Sequence, residues 1–290
     1  MFLRIIRISR RCLTTPGRHE KIGRHARLSA SSVISHVLIL WGVIGAAAAV
    51  AVVVHRRRSP EEAPEYQSVL SFVGAAYGLL LGLLVVFAVG HYNDVRHEAQ
   101  MEATSLVAVF DTVDVYPPET SDHIQHDLVC YMRSIADDDW PSMQRGSQLE
   151  SPRALTLGDR FRGDLRALPT DGPAQTSAYG RAATLVTDAD QSRQRLLFLT
   201  APEIPTALWV VIYVGAFLVF LLLAVHYAAR QGGLFLVLGA VAVLMTVVIA
   251  VLGMLDQPFG VGIRVHPDQM RQAISLTRIA VDPAVLQPCS

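Results

Sequence analysis

The chain has 290 residues, 51% hydrophobic and 17% charged, with a mean hydropathy of +0.36. A soluble domain carries about 25% charged residues. Here the apolar residues also gather in long blocks, so a purely soluble globule is excluded and membrane spans are expected. The 25 Lys and Arg balance the 25 Asp and Glu, leaving no net charge to attract nucleic acid.

Residues 1–32 form a basic tail. Arg4, Arg7, Arg10, Arg11, Arg18, Lys21, Arg24 and Arg27 precede the first apolar block, with Glu20 the only acid. Lys21 is the only lysine in the chain. Phe2, Leu3, Ile5, Ile6 and Ile8 interleave with the first arginines. The tail fits a short amphipathic helix on an anionic membrane surface. It fits equally a disordered tail, or a start codon upstream of the true one. Ser9-Arg10-Arg11 echoes a twin-arginine export signal, but the apolar block begins too far downstream for one.

Residues 33–54 are the first expected span. About 22 residues at ~1.5 Å rise cover roughly 33 Å, enough for the hydrocarbon core. His36 lies near its start and Trp41 further in. Ala46 to Ala49 offers small residues for signal cleavage, but the apolar run continues to Val54, too long for a signal core. A retained anchor is therefore favoured. His55 to Glu65, with Pro60 and Pro64, reads as a polar loop.

Residues 67–90 are the second span. Ser71, Gly74, Gly78 and Gly82 fall three and four apart and share one helix face. In lipid, small residues so spaced let another backbone approach closely. They mark a packing or pore-adjacent face: a seam within the protomer, or a surface for self-association. From His91 the helix continues into water, with no Pro or Gly until Pro117. Ala99, Ala103, Leu106, Phe110 and Val113 form its buried stripe.

Residues 91–205 are expected as a helical domain. A helix from Ser121 to about Trp140 has Ile124, Leu128, Tyr131, Met132 and Ile135 inward, and Trp140-Pro141 ends it. Asp137-Asp138-Asp139 then lies at a helix carboxyl end, an unfavourable place for negative charge. A short helix is expected around Leu157 to Leu168. Another runs from about Thr176 to Leu199, with Tyr179, Ala182, Val186, Ala189 and Leu196 inward. Period-2 strand patterning is absent.

Residues 208–228 and 234–255 are the third and fourth spans. Trp209 sits near an interface, and Arg230-Gln231-Gly232-Gly233 makes the hairpin between them. Pro258 stops the fourth span. The tail, residues 256–290, carries an amphipathic helix from Asp268 to Ala280 with Met270, Ala273, Ile274 and Thr277 inward. Cys12, Cys130 and Cys289 are far apart, odd in number and in no CxxC spacing, which predicts three isolated thiols.

Arg and Lys near the spans set orientation. The eight basic residues of the tail lie on one side with Arg96, Arg193, Arg195, Arg264, Arg271 and Arg278. Only Arg56, Arg57, Arg58 and Arg230 lie on the other. Both termini and the helical domain are therefore expected in the cytoplasm, in a multi-pass protein of the cell membrane.

No P-loop, GxGxxG, GxSxG or HExxH motif is present. Neither enzymatic activity nor a cofactor is expected. His123 and His126 have metal-ligand spacing beside Asp122 and Asp127, but the buried face is set by Ile124 and Leu128. These polar residues are expected in solvent, and no metal site is assigned. Spans two and four leave the membrane on the same side, which puts His91 and Asp256 at similar depth. An inner-mouth charged cluster of His91, Arg96, Asp256 and Arg264 is expected there.

Two spans, a helical segment, two more spans and Asp-x-Pro-Phe-Gly resemble the bestrophin-like domain family of bacterial and plant integral membrane proteins. The likeness covers about Ser68 to Ile274. It rests on Gly78-Leu79-Leu80-Leu81-Gly82, on Tyr92 with Glu98-Ala99 and Glu102-Ala103, and on Leu208-Trp209. It rests most on Asp256, Pro258, Phe259 and Gly260, followed by Val265-His266-Pro267. The resemblance implies an all-α integral membrane protein with four transmembrane helices, two plus two, around a cytoplasmic helical domain. It further implies a homo-oligomer in the lipid bilayer that passes small inorganic ions, anions first. True bestrophins bind calcium at an acidic run after Pro-Phe-Gly. Here Val261-Gly262-Ile263-Arg264-Val265-His266 follows, so calcium gating is not implied. A non-conducting scaffold or sensor, with the cytoplasmic helices contacting a partner, is the alternative.

Overall fold

The computed structural model of the chain describes residues 18–57, 67–201, 204–227, 234–257, 259, 265–279 and 289. Among them every regular element is a helix, and four helices are long and apolar enough to cross a membrane.

The helix α1 (Arg18–Arg57) contains the first span. It begins inside the basic tail and continues through His55 and Arg56, which the sequence assigns to a loop. No helix-breaking residue occurs before Pro60, which accounts for the extension. The helix α2 (Gln67–Thr112) has 46 residues without a break. At ~1.5 Å rise it is about 69 Å long, more than twice a ~30 Å hydrocarbon core, so half of it stands outside the bilayer. One inner face runs its whole length: Tyr77, Leu81, Leu84, Ala88, His91, Val95, Ala99, Glu102 and Leu106 are buried at steps of three and four.

After a 3-10 turn (Val113–Val115), Pro118 opens α3 (Pro118–Ser134) at a first-turn position where its missing N–H is not needed. The structure then corrects the expected stop at Trp140-Pro141. The helix passes through a π turn (Ile135–Asp139) into α4 (Trp140–Gln144), with Pro141 in its first turn. The wider turn, in which the Trp140 N–H reaches the Ile135 carbonyl, lies just ahead of Pro141, the residue that has no N–H to continue the α-helical ladder. The end comes at Gly146, which takes φ 80° and donates its N–H to the Met143 carbonyl at 2.8 Å.

The acidic run is not left at a bare helix end. Asp137 faces Arg271 at 3.7 Å, Asp138 faces Arg153 at 3.4 Å, and Asp139 pairs with Arg193. Next come α5 (Pro152–Arg166), capped by the Ser151 hydroxyl accepting from the Ala154 N–H, and α6 (Pro173–Phe198). The helices α7 (Thr206–Tyr227) and α8 (Leu234–Leu255) are the last two spans, and α9 (Asp268–Ile279) follows. The inward residues expected of α9, Met270, Ala273, Ile274 and Thr277, are all buried.

Two cores result. In the membrane bundle, α1 and α2 pack on α7 and α8 around Leu40, Tyr77, Leu81, Ile212, Ala216 and Leu252. Outside it, α2, α3, α5, α6 and α9 enclose Phe110, Leu128, Met132, Trp140, Phe161 and Leu196. Tyr92 packs against both. The expectation of three isolated thiols is corrected: Cys130 on α3 is disulfide-bonded to Cys289, with Cα atoms 5.5 Å apart. Their separation of 159 residues carries no local signal that the tail returns to α3.

Candidate functional site at the junction of the two cores

Asp256 follows directly on α8 and is buried. Its N–H donates to the Leu252 carbonyl at 2.9 Å, so the helical pattern just reaches it. Its Oδ1 accepts the backbone N–H of Ile204 at 2.8 Å. Ile204 lies two residues before α7, so one carboxylate fastens the end of the fourth span to the start of the third. An ionised acceptor on an amide donor is the stronger kind of hydrogen bond.

Cavities open on both sides of this carboxylate. One, of about 170 Å³, is lined by Leu84, Phe87, Ala88, His91, Leu208 and Asp256 among others. The other, of about 380 Å³, is lined by His36, Ile39, Trp209, Tyr213, Asp256 and Gln257 among others. His36 stacks on Trp209 with ring centroids 3.8 Å apart, and its Nδ1 lies 2.6 Å from the Tyr213 hydroxyl. The junction is thus an apolar bundle end in which two imidazoles and one carboxylate line adjoining cavities.

The structure brings two members of the expected inner-mouth cluster, His91 and Asp256, to one cavity. Arg96 is exposed, and its guanidinium lies 6.0 Å from the Tyr92 ring centroid. Arg264 lies outside the described residues. His36, Trp209 and Tyr213 complete the site, and sequence reasoning did not join them to it. A signal was present: Leu208-Trp209 already belonged to the family resemblance.

The motif after the fourth span works in two directions. Asp256 turns into the membrane bundle. Phe259, three residues later, is buried in the other core, where its ring meets Trp140 edge-on at 5.8 Å. The Trp140 indole N–H donates to the Val265 carbonyl at 3.1 Å. Pro258 and Gly260 lie outside the described residues.

The small-residue face of α2 is largely bare of the other described helices, with Gly74 half-buried and Gly78 and Gly82 exposed. A Cβ built on Gly74, Gly78 or Gly82 meets nothing within 4 Å, and Ser71 is exposed. Among the described residues, none packs against Gly74, Gly78 or Gly82.

Residues expected in solvent on α3 divide. Asp122 and His123 are exposed, whereas Asp127 is buried, a correction to the expectation for that residue. Asp164 of α5 completes a group in which donor atoms of His123, Asp127 and Asp164 lie within 4.8 Å of one another. Arg160 Nε is 2.9 Å from Asp127 Oδ2 and already supplies a cation there. His126 instead lies against Cys130 Sγ at 3.6 Å.

The family profile described as Bestrophin-like domain matches residues 36–270. No curated protein matches the chain in sequence. Among solved structures, two single-substitution variants of a bacterial bestrophin homolog from Klebsiella pneumoniae superimpose with a TM-score of 0.58 at 14% identity. The alignments cover 89% of this chain and 98% of that one, and 88% and 99% respectively. A third variant gives a TM-score of 0.57 at 13% identity, over 87% of this chain and 99% of the other. At such identities the structural likeness establishes a shared fold, while the profile match over most of the sequence establishes descent: the chain belongs to the bestrophin-like family.

Proposed function

We propose that the protein is the subunit of a homo-oligomeric, bestrophin-like ion channel of the cell membrane, conducting small anions and lacking a calcium clasp. The observation that carries this reading is the outward face of α2. Among the described residues none meets a Cβ built on Gly74, Gly78 or Gly82, and Ser71 is exposed, yet the four have the spacing that allows close helix approach in lipid. Another copy of the chain is the partner that fits, with the face either at the subunit seam or beside a central pore. Both termini and the extramembrane helices are assigned to the cytoplasm, following the Arg and Lys distribution. No catalytic activity and no cofactor are assigned. The absence of a carboxylate between Phe259 and Asp268 supports a channel that does not need calcium.

Purified protein in liposomes tests this directly. Anion flux that persists in a calcium chelator is expected, together with a closed oligomer in native mass spectrometry. A monomer with no flux at any voltage or pH would overturn the channel. It would favour the second reading, a scaffold or sensor whose extramembrane helices contact a partner.

A further inference from the structure

Arg193 of α6 is 1% exposed, and three carboxylates face it. Asp139, last residue of the π turn, pairs with its Nη2. Glu150 Oε1 lies 3.6 Å from Nε, and Glu102 Oε2, from α2, lies 3.8 Å from Nη1. Glu102 is itself 1% exposed, and neither of its oxygens accepts a hydrogen bond. One guanidinium cannot balance three carboxylates, and an ionised carboxylate buried without donors is strongly disfavoured.

We propose that Glu102 is a proton-binding site that sets how firmly the extramembrane helices hold α2. Protonated, it is a neutral acid on the inner face of α2 beside α6. Ionised, it adds a further negative charge to a buried cluster that already carries an excess, and the α2–α6 seam loosens. The helix α2 runs unbroken from Glu102 back through His91 to the glycine face, so a change of seating reaches the membrane along one rod.

The groups around Glu102 support this. Burial pushes its carboxyl up to about 7; Arg193 opposes that, while Asp139, Glu150 and Asp190 add to it. Tyr131 faces the cluster from α3, and Arg162 of α5 pairs with Asp190. The buried face of α9 offers Met270, Ala273, Ile274 and the Thr277 hydroxyl, and no charge. The folded value lies above the ordinary carboxyl value of 4.5, so the folded protein takes up the proton first. This contribution to stability is complete below about 4.5 and is lost as pH rises through about 7. The inference does not depend on ion conduction.

Full-length protein in detergent tests it by thermal unfolding and hydrogen exchange over α2, between about pH 5 and about pH 8. The wild type is expected to lose Tm and amide protection over residues 95–110 as pH rises through about 7. Glu102→Gln, which is neutral at every pH, is expected to lose that step and to keep the acid-form protection at high pH. An identical pH step in both proteins would overturn the proposal. If Glu102→Gln fails to fold, infrared difference spectroscopy of the wild type decides. A protonated carboxyl band present at about pH 6 and gone by about pH 8 supports the site, and its absence at about pH 6 refutes it.

Discussion

The Asp256 carboxylate accepts the Ile204 N–H at 2.8 Å, so the end of the fourth span holds the start of the third. Removing the acceptor orphans a part-buried amide, at a cost of about 1–3 kcal/mol. Asp256→Ala is expected to lose that much in thermal unfolding, while Asp256→Asn, which keeps an acceptor oxygen, loses less. His91 lines the same cavity. A double-mutant cycle on His91 and Asp256 is expected to show a coupling of about 0.5–3 kcal/mol. A coupling of zero means that the shared cavity carries no energetic link.

Two kinds of glycine are separated by the structure. A Cβ on Gly78 meets open space, whereas a Cβ on Gly215 of α7 strikes the Tyr77 ring, whose hydroxyl donates to the Ile212 carbonyl. Gly215→Ala is expected to destabilise the bundle by about 1–3 kcal/mol through overpacking. Gly78→Leu is expected to leave the protomer's helix content intact and to weaken the oligomer. Circular dichroism and native mass spectrometry on both variants check the contrast. Equal effects on the fold would contradict it.

Arg193 is the only cation close to Glu102, Asp139 and Glu150 among the described ion pairs. Arg193→Met leaves Asp139 and Glu150 uncompensated and is expected to cost about 3–5 kcal/mol in chemical denaturation. Without Arg193 the Glu102 carboxyl loses the cation that holds it down, so adding Glu102→Gln to that variant is expected to restore part of the loss at alkaline pH, where Glu102 is forced to ionise, and little of it in acid. Additive losses would mean that the two side chains do not interact.

The Cys130–Cys289 bond closes a long stretch of chain. Cys289→Ser is expected to lower stability by roughly 2–4 kcal/mol under oxidising conditions and to be silent in reductant. Such a bond belongs to an oxidising compartment, whereas the positive-charge distribution assigns these helices to the cytoplasm. Ser147→Cys, in the exposed turn after α4, reports the side. With a cytoplasmic domain, an impermeant maleimide is expected to label it only after the membrane is opened. Labelling of intact cells would reverse the assigned orientation.

Periodic features were legible in the sequence because period is a local property. The inner stripes of α2, α3, α6 and α9 follow from spacings of three and four. The same spacing marks two charged residues as inward. Glu102 continues the stripe through Ala99 and Leu106, and Arg193 continues the one through Ala189 and Leu196, so both charges were marked as inward. Its place in the sequence near the third span gives Arg193 a second, juxtamembrane reading, which its burial overrides. The tight approach at Gly215, the capture of Ile204 by Asp256 and the return of Cys289 to α3 depend on which helices meet. A single sequence does not encode that in any window.

Phe259, Val265 and α9 have a bearing on how the protein is made. They belong to the same core as α2, α3 and α6, yet the ribosome delivers them only after the third and fourth spans. Until then Trp140 lacks both the Phe259 ring and the Val265 carbonyl that receives its indole proton. The helices α2, α3, α5 and α6 can meet before then, but this core is closed only once the residues after the last span arrive. Truncation anywhere before residue 279 is expected to release a chain with its second core unclosed, in the form that quality-control proteases recognise.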